Sequence, residues 1–312
     1  MTEPLVSVLV PLYNHEKYIE TCLASIAGEA YRNLELVVLD DGSRDRSFAL
    51  VQDWIAANGG RFARVKTWTQ PNAGICRTLN RLVAEAEGAY VVLVASDDAL
   101  LPGGIQARVA YLEAHPETLA VFGDAEAIDD RGGRLAASTI KQIHHGSRAA
   151  LQDPRRITRE LLLRWSIPGP VFLARRSTWD PVAGVGPYDE TLKVEDRDYY
   201  LRLLARGALA FVDYPVAQYR LHGLNVSRNP AGDPDLNSLQ HQIASDVQKS
   251  AAINLHRFQG LDRALLRLVT RNDQYRKPRK PVRYNLTRNL IKLFKNLNRM
   301  GLLGGRQDRK HG

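Results

Sequence analysis

Four times in the first hundred residues a short apolar run ends in polar or turn residues and gives way to a helical stripe. Leu5 to Val10 (LVSVLV) reads as a strand followed by the loop PLYNH, and Glu16 to Ala27 places Ile19, Leu23 and Ile26 on one helical face. Leu34 to Leu39 is a second strand, closing on Asp40, Asp41, Gly42 and Ser43, with a helix over Asp45 to Ala57. Val65 to Thr69 is a third, leading to QPNAG and a helix over Ile75 to Ala86 that stops near Gly88. Tyr90 to Ala95 is a fourth, apolar throughout as a strand covered on both faces is, and it runs into Ser96, Asp97 and Asp98. This alternation predicts an α/β fold, Rossmann-like, with a mostly parallel sheet, right-handed crossovers and flanking helices. The polar strand ends then converge on one crevice at the carboxyl edge of the sheet.

Beyond residue 100 the pattern weakens. Gly103 to Ala114 reads as a helix, Leu119 to Asp124 as a strand, Ile157 to Trp165 as a short helix and Gly169 to Ala174 as a strand. Ala125 to Arg156 has poor periodicity and reads as irregular excursions, with His144 and His145 as a solvated loop pair. Glu195 to Ala205 is a strong helix, and Leu209 to Val212 and Ala217 to Leu221 are two more strands leading to His222. After a linker at Pro230 to Pro234, Leu236 to Val269 reads as two helices.

A chain of 312 residues with 44% apolar and 25% charged positions can bury a substantial core, which argues against wholesale disorder. Cys22 and Cys76 show no metal-ligand spacing and read as packing residues of a reducing compartment. Neither a signal-peptide pattern nor a run of about 18 apolar residues is visible, so a cytoplasmic location is expected. The net charge of +9 is confined to the tail, because from Arg271 onward thirteen Lys or Arg face two Asp. A polyanionic partner would therefore meet the tail and not the main domain.

Candidate chemistry begins with Asp97 and Asp98. Two ionised carboxylates side by side at the end of a buried strand repel each other unless a cation sits beside them, and a divalent metal is the obvious one; the alternative is that Asp98 caps the helix near Pro102. Both the GxGxxG fingerprint and the GxxxxGK[ST] loop are missing, which leaves a metal ion to offset phosphate charge. Glu195, Asp196 and Asp198 fall in the first turn of one helix, where the dipole alone would favour acids.

Five segments, in order over Val6 to Ser227, resemble the family 2 glycosyltransferases, inverting enzymes of the GT-A fold and here of the bacterial surface-polysaccharide type. They are VSVLVPLYNHEKYIETCLASI, ELVVLDDGSRDRS, NAGICRTLNRLVAEAEGAYV, ASDDALLP, and VEDRDYYLRLLARG followed by YRLHGLNVS. The resemblance implies a catalytic domain over 1–228, with a donor half to about 124 and an acceptor half after it, and a helical extension over 229–312. Pro11, Tyr13 and Asn14 would wall the nucleotide pocket. Asp41 would accept the ring N–H of a uracil or thymine base, unless it only closes an Asx-turn at Asp-Gly-Ser. Asn72, Gly74 and Asn80 would lie beside ribose and diphosphate. Asp97 would face the ribose, and Asp98 would coordinate Mn²⁺ or Mg²⁺, with Ala95 standing where many members have a further aspartate. Asp196 would be the general base, Glu195 a hydrogen-bonding partner of donor or acceptor hydroxyls, His222 a second metal ligand, and Arg220 and Ser227 holders of the diphosphate. The family's QxxRW motif of processive synthases is absent, so a single sugar would move, from a nucleotide-diphosphate sugar of the UDP type to a saccharide acceptor. A rival reading is a non-catalytic, membrane-tethered module that binds sugar nucleotides, to which Ala95 is the one pointer. Nucleotidyl transfer would call for glycines after the first strand, and PLYNHEKY has none.

The tail adds a basic hinge, YRKPRKPVRY, and a helix over Asn285 to Leu303 with Leu286, Leu290, Leu293, Phe294, Leu297 and Met300 on one face and Arg288, Lys292, Lys295 and Arg299 elsewhere. That composition, over 271–303, suits a helix lying in an anionic membrane interface on the inner face of the cell membrane, with a lipid-linked acceptor. The alternative is packing on its own domain or on a second copy. Nucleic acid is not expected, since Tyr275 and Tyr284 are the only aromatics near the hinge.

Overall fold

In the computed structural model the described residues are 3–193, 195–223, 234–275 and 281–303. The elements, in chain order, are β1 (Val6–Leu12), α1 (Ile19–Ala27), β2 (Leu34–Asp40), α2 (Ser47–Asn58), β3 (Arg64–Thr69), α3 (Ile75–Glu85), β4 (Tyr90–Leu93), β5 (Ala99–Leu100), α4 (Gly104–Ala114), β6 (Ala120–Ile128), β7 (Arg134–Ala136), α5 (Arg148–Leu151), α6 (Ile157–Leu163), β8 (Phe172–Arg175), α7 (Glu195–Arg206), β9 (Leu209–Arg220), α8 (Pro234–Asn254), α9 (Gly260–Tyr275) and α10 (Pro281–Arg299).

The first four major strands pair as the alternation predicts. They lie parallel in the order β3-β2-β1-β4, with Val8 opposite Leu36 on one side and Val92 on the other. Every residue of β2 is buried, because helices cover both faces. The second half of the sheet is different: β8 runs antiparallel to both β4 and β6, and β5 antiparallel to β9, so the whole sheet is mixed. The two short strands expected over 209–221 are one strand, β9, parallel to β6 and bent where its register shifts near Asp124. Asp213, Tyr214 and Pro215 break the apolar pattern there because the bend exposes them. Gly123 allows the close approach, since a Cβ would stand 2.5 Å from a Val216 methyl.

The stretch expected to be irregular after Ala125 carries more order than its periodicity shows. Strand β6 continues to Ile128 and pairs with β7. Asp124, buried, accepts hydrogen bonds from Ser138, Thr139 and the Ile140 N–H and so gathers a single π-turn, Thr139–Ile143, beneath the sheet edge.

The C-terminal helices pack on the rest of the chain. Helix α8 lies on α7. A buried ion pair at 2.8 Å, Arg159 to Asp262, joins α6 to α9. Ile291, Phe294 and Leu297 of α10 close a small second core with Leu163 and Leu265. The apolar face expected on this last helix is therefore divided: Phe294 and Leu297 turn inward, while Leu286, Leu290 and Leu293 remain 61%, 45% and 52% exposed. Among the described residues no helix is long and apolar enough to cross a membrane.

Candidate active site

Short β5 is the element that assembles the site. Pairing Ala99 with Gln218 lays the end of β9 beside the turn that follows β4, so Arg220 and His222 arrive next to Asp97 and Asp98. Asp98 Oδ1 accepts the Arg220 backbone N–H at 2.8 Å, and Arg220 Nε donates to the Asp97 carbonyl at 2.7 Å. The Asp97 carboxylate turns the other way. Its Oδ2 lies 3.0 Å from His222 Nε2 and its Oδ1 3.9 Å from His15 Nδ1. One donor atom from each of His15, Asp97 and His222 falls within 4.8 Å of the others.

The two aspartates share this buried place unequally. Burial raises the Asp98 carboxyl well above its ordinary value, and the neighbouring Asp97 charge raises it further. Burial acts on Asp97 as well, but the His222 hydrogen bond and the neighbouring imidazoles outweigh it and hold Asp97 below the ordinary range. Asp97 is thus the ionised member of the pair. Burial lowers the pKa of His15 despite the pull of Asp97, which keeps its imidazole neutral and able to donate a lone pair. His15 was not among the sequence candidates; the available signal was its place at the end of the first strand, beside Asn14, where the strand ends converge.

The remaining candidates form three groups. Asn14, in the left-handed region at φ 52°, receives no strain relief from glycine but locks its loop, since its N–H donates to Ser43 Oγ at 2.9 Å and its Oδ1 accepts the Arg44 N–H at 2.8 Å. Tyr13 is beside it at 43% exposure. Asp41 serves the loop before α3: Oδ1 accepts from Ala73 N–H at 2.8 Å and from Gln70 at 2.7 Å, and Oδ2 accepts from Gly74 N–H at 3.0 Å. Asn72 is exposed on that loop. Asn80 clamps the segment before α7, accepting from Tyr188 N–H and donating to its carbonyl. Ser227 lies outside the described residues.

A cavity of about 130 Å³ at the carboxyl edge of the sheet is lined by Pro11 and Ala95 and by Glu195, Asp196, Tyr199 and Tyr200 of α7. Burial, then the charge of Asp196, pushes Glu195 up to about 8, and burial raises Asp196 too. The α7 dipole favours carboxylates at its N-terminus by only about 0.3–1 kcal/mol, so at this spot burial wins. A carboxyl titrating near neutrality at a cavity wall can accept a proton in one step and release it in the next.

Comparison with known proteins agrees with this architecture. The family model "Glycosyl transferase family 2" matches residues 7–175. The chain is 26% identical over 204 residues to the putative glycosyltransferase EpsE of Bacillus subtilis, covering 65% of this chain and 68% of the relative. Two solved structures share the fold at 16% identity. One is Staphylococcus aureus TarS 1-349 in complex with UDP-GlcNAc, at TM-score 0.63 over 95% of this chain and 83% of that one. The other is the mannosyltransferase PcManGT of Pyrobaculum calidifontis with GDP-Man and Mn²⁺, at TM-score 0.61 over 97% and 79%. With the family matched over more than half of its length and the GT-A sheet in place, the chain belongs to glycosyl transferase family 2.

Proposed function

We propose that this family 2 glycosyltransferase moves one sugar, with inversion, from a nucleotide-diphosphate sugar of the UDP type to a saccharide acceptor, lipid-linked, in surface-glycan synthesis. The observation that carries the reading is the pairing of two unlike carboxylate sites: Asp97 between two imidazoles, and Glu195 and Asp196, both raised by burial, at the cavity that Ala95 lines two residues before Asp97. One carboxylate and two imidazole nitrogens fit a divalent transition ion such as Mn²⁺ better than Mg²⁺, which prefers an all-oxygen shell. Bound there, the ion would offset the charge that builds on the leaving diphosphate. Asp196 takes the acceptor hydroxyl proton, and Glu195 orients the sugar hydroxyls. Arg220 holds the metal-side turn and presents its charge toward the diphosphate. Asp41 Oδ2, with one N–H donor among the described residues, has capacity to accept a uracil ring N–H. The reading is checked by free nucleotide release from UDP-, dTDP- and GDP-sugars with Mn²⁺, with Mg²⁺ and with EDTA. Release is expected from a UDP-sugar with Mn²⁺ and should disappear in EDTA; release unaffected by EDTA would exclude the metal from the mechanism.

The membrane part of the proposal rests on the outward row Leu286, Leu290 and Leu293, flanked by exposed Arg288 and Lys292. Basic residues near an anionic surface contribute about 1 kcal/mol each, and the leucines add burial. Cosedimentation with vesicles of anionic lipid, but not with neutral ones, is the expected outcome, and replacing the three leucines by glutamate should abolish it. Unchanged sedimentation of that variant would remove the helix from membrane binding.

A further inference from the structure

Among the described residues of α8, most of the buried side chains are polar where a packed helix is ordinarily apolar. Asp246, Ser250 and Asn254 recur every fourth residue and are 3%, 0% and 0% exposed. Burying a carboxylate, a hydroxyl and an amide costs free energy unless each is hydrogen-bonded, and even then an apolar face of the same shape is often as stable. Stability alone therefore does not account for this stripe. Its partners do. Asp246 Oδ2 accepts the Lys193 backbone N–H at 2.6 Å, while Oδ1 accepts from Lys249 at 2.8 Å. Asn254 Nδ2 donates to Asp198 Oδ1 at 2.7 Å, and Asp198 Oδ2 takes the Arg202 Nε at 2.9 Å. Ser250 Oγ donates to the Asp246 carbonyl at 2.7 Å. The two anchored residues bracket Glu195 and Asp196 in sequence, one before the pair and one after it. From the opposite side α3 holds the same segment, through Asn80 on Tyr188 and through Cys76 Sγ on the Leu192 carbonyl at 3.1 Å.

We propose that the C-terminal extension is part of the catalytic apparatus, with Asp246 and Asn254 as positioning residues that fix where the Glu195–Asp196 pair stands at the cavity. The inference rests on the reading of Asp196 as the base. Without the hold on Lys193 the carboxylate could shift by about an ångström, and misplacement on that scale can cost up to about 100-fold in rate. Neither Asp246 nor Asn254 bonds to His15, Asp97 or His222, so the donor seat is left alone.

The experiment is steady-state kinetics on the full chain with Asp246→Ala, Asp246→Asn and Asn254→Ala, alongside Ile291→Ala as a control in the separate tail core. In Asp246→Ala kcat should fall about tenfold or more with the donor KM within about twofold of wild type. Asp246→Asn, whose one amide oxygen can take the place of Oδ2 and accept the Lys193 N–H, should recover most of that loss. Ile291→Ala should lower the thermal midpoint and keep kcat. Should Asp246→Ala not fold, the same fall in kcat is required of Asn254→Ala. Wild-type kcat in the alanine variant, a loss that asparagine does not restore, or an equal loss in Ile291→Ala would each overturn the proposal. Full activity in Asp196→Asn would instead remove the base assignment, whatever Asp246 does, so the two failures are told apart.

Discussion

Replacing Asp196 by asparagine is expected to lower sugar transfer by about 10²–10⁴-fold, the usual contribution of a positioned general base, with donor binding retained. The amide keeps the shape and hydrogen-bonding reach of the carboxylate but cannot take a proton at neutral pH. Folding should not suffer. The pair sits where burial disfavours charge, so removing one of its two ionisable groups relieves repulsion and should leave the thermal midpoint unchanged or slightly raised. The pH profile gives a second readout. Because burial raises Asp196, wild-type transfer should still be climbing at a pH where an ordinary carboxylate base would already have reached its plateau. Stability runs the opposite way. Glu195 titrates at about 8 when folded against 4.5 when free, so its contribution is complete below pH 4.5 and is lost as the pH rises toward 8. Thermal melts across that range, paired with initial rates, would expose the opposed trends; parallel trends would contradict the assignment.

Asp97→Ala should abolish Mn²⁺-dependent donor binding and reduce transfer by about 10²-fold or more, because it removes the one ionised oxygen between two imidazoles. Mn²⁺ titration followed by water-proton relaxation measures the binding directly. His15→Ala should weaken the ion about 10–100-fold and leave transfer measurable at high Mn²⁺. Asp98→Ala separates this assignment from the one that sequence register suggests. Its carboxyl is engaged with the Arg220 N–H, so its loss should disturb the β5–β9 junction and lower stability more than it lowers ion affinity. Loss of Mn²⁺ binding in Asp98→Ala with normal binding in Asp97→Ala would transfer the metal to Asp98.

The first hundred residues were legible because each strand there is a local apolar run paired with its neighbours by short crossovers. Strands β8 and β9 follow no such rule: their partners lie far off in sequence, and their exposed interruptions, as at Tyr214, look like ends. A two-residue strand such as β5 has no pattern at all, yet it is what delivers His222. Register in the SDD turn could not say which aspartate faces the histidines, since adjacent residues in a turn point in different directions and the choice is made by the remote N–H of Arg220. The last helix misled in a different way. Its apolar residues cover more than one face, and only packing against α6 and α9 decides which of them, Phe294 or Leu293, is withdrawn from water.

His222 and Asp97 are separated by 125 positions along the chain. At about 5–20 residues per second, a ribosome needs roughly 6–25 s to pass from one to the other. Throughout that interval the parallel half of the sheet can form while its carboxylate edge lacks the second imidazole, and α8 is later still. A growing chain would thus fold the parallel half of its sheet well before His222 meets Asp97 or α8 meets α7, so the cluster at the carboxyl edge is completed only late in synthesis.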